Sequence, residues 1–224
     1  MRIVIIGNGV AGVEAALAVR ARQEEWEIAI VSEESDHFFS RTALMYAFCG
    51  QLSHRDLEPY ERDLYARMNF RRVRARAAGL ELDNRQVRLA RGQVLPYDRL
   101  LIACGSRARP GIWPNSHLRG IGHFVALQDM EWLEKEVYGE RRVERPANAD
   151  GHVQASAPDS PYFPRPVAAE RKGRTARRAL VVGGGLIGME VVEILHQAGI
   201  EVHFLIMEEW YWPMAINQQE SSWV

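Results

Sequence analysis

Gly7-Asn8-Gly9-Val10-Ala11-Gly12 sits between a β-branched run, Arg2 to Ile6, and a stretch from Val10 to Arg22 that sets Val10, Val13, Leu17 and Ala21 at helical spacing. The order strand, tight turn, helix matters, because glycine-rich turns alone also serve as plain connectors. Glu27 to Val31 is a second β-branched run ending on Ser32, Glu33 and Glu34, and it completes a βαβ unit of about 30 residues with two parallel strands. In such a unit Gly7 permits the tight turn, Gly9 lets a pyrophosphate approach bare backbone, and Gly12 lets the helix lie close to the strand. The first-turn N–H groups, at Val10 and Ala11, then face the phosphates along with the helix dipole. An acidic residue is expected at the end of the second strand to accept the adenosine ribose hydroxyls. Glu33 takes that place, with Glu34 as the alternative.

The same theme returns near the other end of the chain. Ala179 to Val182 reads as a strand, Val182-Gly183-Gly184-Gly185-Leu186-Ile187-Gly188 as its turn, Met189 to Gln197 as a helix stopped by Gly199, and Glu201 to Ile206 as a second strand. Gly183, Gly185 and Gly188 repeat the glycine spacing, with Leu186 and Ile187 in the first turn. The repeat is one of kind, since the two segments are not near copies.

Between the two units, Arg41 to Phe48 and Pro59 to Met68 read as helices. Phe70 to Leu82, Gln86 to Leu89 and Gln93 to Leu95 alternate around Asp83-Asn84 and Gly92, as a small antiparallel meander would. Arg99 to Ala103 reads as a buried strand ending in Cys104-Gly105-Ser106, and Glu131 to Val137 as a helix. Residues 139–176, rich in Pro, Ala, Arg and Gly, read as a linker or surface excursion. After Ile206 one further helical segment follows, Met214 to Trp223. The expected fold is therefore α/β, with two Rossmann-like dinucleotide-binding domains built on parallel sheets. The first, 1–125, carries the meander; a connecting helix and excursion occupy 126–176; the second, 177–224, is incomplete. Its two-stranded sheet is expected to leave residues such as Val181 and Leu205 exposed.

At 224 residues, 47% hydrophobic and 25% charged, the composition is that of an ordinary globular protein. A formal net charge of −1 gives no global attraction to nucleic acid or an acidic membrane, and the arginines between Arg55 and Arg109 read as a solvated face. No run of about 18 apolar residues occurs, so neither a membrane span nor a signal peptide is expected and the expected address is cytoplasmic. Cys49 and Cys104 form no Cys-x-x-Cys unit. They are read as buried small apolar residues, with no metal site, disulfide or dithiol centre.

Taken with Phe38-Phe39-Ser40-Arg41 and Leu95-Pro96-Tyr97-Asp98-Arg99-Leu100-Leu101-Ile102-Ala103-Cys104-Gly105-Ser106, the N-terminal glycine motif resembles the pyridine-nucleotide-disulfide oxidoreductase family in its broad sense. The resemblance implies FAD at the first glycine turn. It implies close approach of the cofactor to Ala103 and Gly105, and Arg41 against the flavin pyrophosphate, where a guanidinium fork matches phosphate oxygens. The second turn would hold NADH or NADPH, with Glu190 near nicotinamide and flavin. After the last strand come Ile206, Met207, Glu208 and Glu209; a carboxylate there prefers the free 2′-hydroxyl, which favours NADH.

The implied activity is hydride transfer from NAD(P)H to the flavin N5, with electrons passing to an external acceptor, either a small redox protein or a small molecule. Thr42 and Ala43 stand where disulfide-reducing members carry a redox cysteine. The resemblance therefore points to reductases of the rubredoxin, ferredoxin and nitrite-reductase type, several of which have a lysine where this chain has Tyr46. No catalytic acid or base emerges. The family's third FAD motif and C-terminal interface domain have no counterpart, so the chain reads as an N-terminal fragment, completed by a missing C-terminal part or a partner subunit. The alternative is a non-catalytic dinucleotide-binding module or split subunit.

Overall fold

The computed structural model describes residues 1–109, 111, 113–139 and 176–223. The excursion expected over 139–176 lies outside these residues except for its two end positions. By contact the chain divides into two units, Met1–Arg41 with Asp56–Arg107, and Thr42–Arg55 with Ala108–Val224.

In the first unit β1 (Arg2–Ile6), α1 (Val10–Arg20) and β2 (Glu27–Ser32) form the expected βαβ crossover, with Ile3 opposite Ile28 and Ile5 opposite Ile30 in parallel register. The helix α2 (Leu44–Phe48) belongs to the second unit. The chain returns to the first through α3 (Leu64–Arg67), a single turn where a helix over Pro59 to Met68 was expected; Asn69, at φ 51°, ends it. β3 (Phe70–Arg74) then runs parallel to β2. This corrects the reading of Phe70 to Leu82 as one meander strand: the run breaks after Arg74, where Ala75 N–H donates to Ser32 O at 3.0 Å. Only β4 (Ala77–Glu81), β5 (Gln86–Leu89) and β6 (Val94–Pro96) form the antiparallel meander. β7 (Arg99–Ile102) closes the parallel sheet in the order β3-β2-β1-β7.

Period-two alternation puts Ile3, Ile5, Ile28 and Ile30 on one face of that sheet, packed with Val13 and Ala16 of α1 and with Leu64 and Tyr65 of α3. Val4 and Val31 point the other way, against Val87, Leu89, Leu95 and Tyr97 around the meander. Both faces are thus covered, as a parallel sheet requires. Each of the Val, Leu and Ile side chains among them contributes about 1.5–3 kcal/mol when taken out of water. β7 departs from its reading as a buried strand, since Leu101 is 37% and Ile102 61% exposed. It is the sheet's edge, flanked among the described residues by β1 alone.

In the second unit α4 (Leu127–Tyr138) begins four residues before the expected start. Asp129 holds that turn in place, because its Oδ2 accepts the N–H groups of Val125 at 2.9 Å and Ala126 at 2.7 Å. Phe48 of α2 is buried against Phe124 and Tyr138, at ring separations of 6.4 and 5.4 Å. β8 (Arg178–Val182), α5 (Leu186–Gln197) and β9 (Glu201–Leu205) repeat the crossover, with Val181 opposite Phe204 and Val182 opposite Leu205. Alternation decides their exposure. Leu205 is exposed as expected, whereas Val181, one pleat away from the open face of Leu180 and Val182, is buried. The final α6 (Gln218–Ser221) is shorter than the reading of Met214 to Trp223, because Asn217 caps it by accepting the Glu220 N–H at 3.0 Å. No helix among the described residues is long and apolar enough to cross a membrane.

Candidate dinucleotide sites

Gly7 leaves β1 at φ 121°, and its N–H donates to Val31 O at 2.8 Å, which fastens the turn to β2. A Cβ there would lie 2.0 Å from the carbonyl oxygen of Ala103, so the strand-end alanine and the first glycine are brought together as close backbone neighbours. Gly12 is buried, and its own Cβ would lie 2.0 Å from Gly7 O. Helix and strand can meet at that distance only without side chains. Gly9 differs. It is the N-cap of α1, has no side-chain cap, and a Cβ on it would meet nothing within 4 Å. The amides beside it, at the exposed Val10 and Ala11, belong to the first turn of the helix, whose N–H groups have no intrahelical partner and lie at the positive end of the helix dipole, a fit for a diphosphate.

Around this turn, Glu33 is an exposed carboxylate directly after β2. Glu34 instead takes the Arg41 guanidinium in a two-pronged pair, Nη1 to Oε1 at 3.0 Å and Nη2 to Oε2 at 2.7 Å, with Arg41 lying over the Phe39 ring at 5.2 Å. The fork that would match phosphate oxygens is here matched to a carboxylate. Gly105 has φ 65° and open space around its Cβ direction. Cys104 is exposed, contrary to its reading as a buried apolar residue, with Sγ 3.7 Å from Ile6 O; it follows the sheet-edge strand β7. Cys49 is buried at the end of α2, as read.

The second turn repeats the first in its backbone. Gly183 is at φ 121°, its N–H donates to Leu205 O at 2.9 Å, and a Cβ on Gly188 would lie 2.0 Å from Gly183 O. Gly185 caps α5 without a side-chain bond and with open space, beside the exposed Leu186 and Ile187. Beside the middle of this turn lies one of the two carboxylates that the sequence offered after the last strand: a Cβ on Gly184 would come 3.1 Å from Glu208 Oε2. The available signal was weak, an acid beyond the apolar stub Ile206-Met207.

Glu190 is half-buried on α5. Desolvation, with the like charge of Glu193 adding to it, raises its carboxyl above the usual range. The Tyr211 phenol, packed 6.0 Å from the Phe204 ring, is raised by burial and then by Glu190.

The profile of the pyridine nucleotide-disulphide oxidoreductase family matches residues 1–222. The chain belongs to that family. The ferredoxin–NAD(+) reductase component of the biphenyl dioxygenase system of Paraburkholderia xenovorans (strain LB400) is 30% identical over 207 residues, covering 92% of this chain and 41% of the relative. Putidaredoxin reductase of Pseudomonas putida is 27% identical over 91% of this chain and 41% of its own length. The chain thus spans about two fifths of the length of these curated relatives. Among solved structures, the covalent putidaredoxin reductase–putidaredoxin complex superposes with TM-score 0.70 at 24% identity, over 99% of this chain and 46% of that one. NADH:rubredoxin oxidoreductase from Clostridium acetobutylicum gives 0.73 at 20% identity, over 99% and 48%. These likenesses show the same fold. Membership in the pyridine nucleotide-disulphide oxidoreductase family implies FAD and NAD(H) as cofactors, and the two open glycine turns fit a dinucleotide each.

Proposed function

We propose that the protein is an FAD-dependent oxidoreductase that accepts hydride from NADH and delivers electrons to a small ferredoxin-type redox protein. The observation that carries this reading is the double occurrence of one backbone geometry, a glycine at φ 121° closed at 2.0 Å by a helical glycine, with an uncapped helix start between them. FAD supplies the two-electron to one-electron conversion that no side chain can perform. The residues of this chain bind and orient. The amides at Gly9, Val10 and Ala11 hold the flavin diphosphate, Glu33 accepts its ribose hydroxyls, and Ala103 and Gly105 allow close approach. The amides at Gly185, Leu186 and Ile187 hold the nicotinamide nucleotide, Glu208 reads the free 2′-hydroxyl, and Glu190 faces the nicotinamide. Support for the acceptor class comes from the relatives, whose names include a ferredoxin reductase and a putidaredoxin reductase. The cytoplasm is the proposed location.

The test is made on the full-length protein. Purified, it is expected to carry the visible absorbance of bound flavin, to bleach anaerobically with NADH faster than with NADPH, and to recover colour on adding a ferredoxin-type protein. Protein that takes up no flavin at all sinks the reading. Recovery with a small-molecule oxidant but with no iron–sulfur protein sinks the acceptor assignment alone.

A further inference from the structure

Asn8, between the first two glycines of the first turn, is a polar residue only 8% exposed, and a turn that must present its amides outward gains nothing by burying an amide side chain unless something inside holds it. The holder is Tyr65, 57 residues away on α3. Its hydroxyl donates to Asn8 Oδ1 at 2.7 Å in a buried bond, and the same oxygen accepts the Phe38 N–H at 2.9 Å. One hydroxyl thus joins the glycine turn after β1 to the loop after β2, the loop that carries Glu33 at its start and Arg41 at its end. The ring is fixed on several sides: Arg72 lies over it at 5.3 Å, while His37 and Phe70 meet it edge-on at 5.9 and 6.4 Å. A ring so packed has little freedom to carry its hydroxyl elsewhere.

We propose that Tyr65 is the positioning residue of the FAD site, its hydroxyl setting the glycine turn and the Glu33-to-Arg41 loop in the mutual arrangement that the diphosphate and ribose require. This rests on the reading of the first turn as the FAD site. Tyr65→Phe removes only the oxygen and leaves the Asn8 carbonyl and the Phe38 amide without that partner. Asn8→Ala removes the acceptor with the ring still in place.

In the full-length protein, Asn8→Ala is expected to raise the Kd for FAD on the order of tenfold, the size of one buried hydrogen bond, and Tyr65→Phe, which also loses the Phe38 N–H bond, by at least as much. The combined variant should bind no more weakly than the worse of the two, because both remove the same bond. Affinity is read by flavin fluorescence quenching well below each variant's melting temperature. Visible-region circular dichroism of the bound flavin should change shape in both variants, and the Kd for NADH should stay as in the wild type. A fold-wide weakening would instead lower affinity for both nucleotides. Wild-type flavin affinity in Tyr65→Phe, or two effects that add in full, overturns the inference while leaving the site reading intact. A wild-type protein that binds no FAD overturns both. If Tyr65→Phe does not fold, Asn8→Ala reads the same bond.

Discussion

In both glycine turns the first glycine stands at φ 121° and the third would bring a Cβ to 2.0 Å from its carbonyl oxygen, yet the two turns are seated in different surroundings. The first lies within a four-stranded parallel sheet and is backed by the carbonyl of Ala103 at the end of β7. The second leaves a sheet that has two strands among the described residues, and a Cβ on Gly183 would meet nothing within 4 Å. Their middle residues differ as well: Asn8 is buried on Tyr65, whereas Gly184 has Glu208 beside it. Two residues past each third glycine stands a glutamate, Glu14 exposed and accepting the Tyr60 hydroxyl at 2.5 Å, Glu190 half-buried. The closure of the turn is a local property of three glycines, while its seating is decided by strands and loops distant in sequence.

The largest effect expected from that difference is in the first glycines. Alanine at either position meets a backbone conformation that L residues rarely adopt, at a cost of about 1–3 kcal/mol. At Gly7 it also drives a methyl into the backbone carbonyl of Ala103, a clash that adds about another 1–3 kcal/mol. Gly7→Ala should therefore lose flavin and destabilise its unit well beyond what Gly183→Ala does to NADH binding and to its own. Denaturant unfolding of the two variants, followed beside flavin content and NADH affinity, checks this. Equal losses would mean that the seating of the turns does not matter.

What the sequence made legible follows the same division. The two strand-turn-helix units and the hairpins of the meander rest on contacts within about ten residues, where glycine spacing and alternation are sufficient signals. β3 could not be read so, because Phe70 to Arg74 runs on in sequence into the meander strand that follows, and only the parallel register with Ile28 to Ser32 distinguishes it. Burial of β7 was misjudged because an apolar run does not reveal whether its strand lies at an edge. At the sites, the glycines and a carboxylate after β9 were legible, whereas Tyr65 and the choice of Glu208 over Glu209 were not. Tyr65 acts on a turn 57 residues away, and Glu208 reaches back to Gly184 only through the loop beyond β9.

Glu208 gives the next effect in size. Its carboxylate lies beside the second turn where an adenosine ribose would be read, and a carboxylate both accepts from a free 2′-hydroxyl and repels a 2′-phosphate. Glu208→Arg should reverse both terms, shifting the ratio of kcat/KM for NADH over NADPH on the order of tenfold or more towards NADPH. Flavin content should be untouched. Steady-state rates with the two nucleotides measure it, and an unchanged ratio would leave Glu208 a bystander and the second turn without a ribose reader.

The smallest effect lies in the two helical glutamates, and its sign can be fixed in advance. Because desolvation and then Glu193 raise the Glu190 carboxyl above its ordinary value, the folded protein favours its protonated form. Its contribution to stability is then fully present below the ordinary glutamate pKa, near about pH 4, and is lost as pH rises through the raised value. Glu190→Gln, which cannot ionise, should melt slightly higher than wild type at neutral pH, by about 1 °C for a chain of this size, and the advantage should vanish in acid. The side chain is only half-buried, so solvent screening keeps the gain small. A lower melting temperature at neutral pH would mean that the carboxylate is held by a favourable partner instead of being penalised by burial. The second helix would then resemble the first, where Glu14 has a hydroxyl to accept from, and the contrast between the two seats would fail at that position.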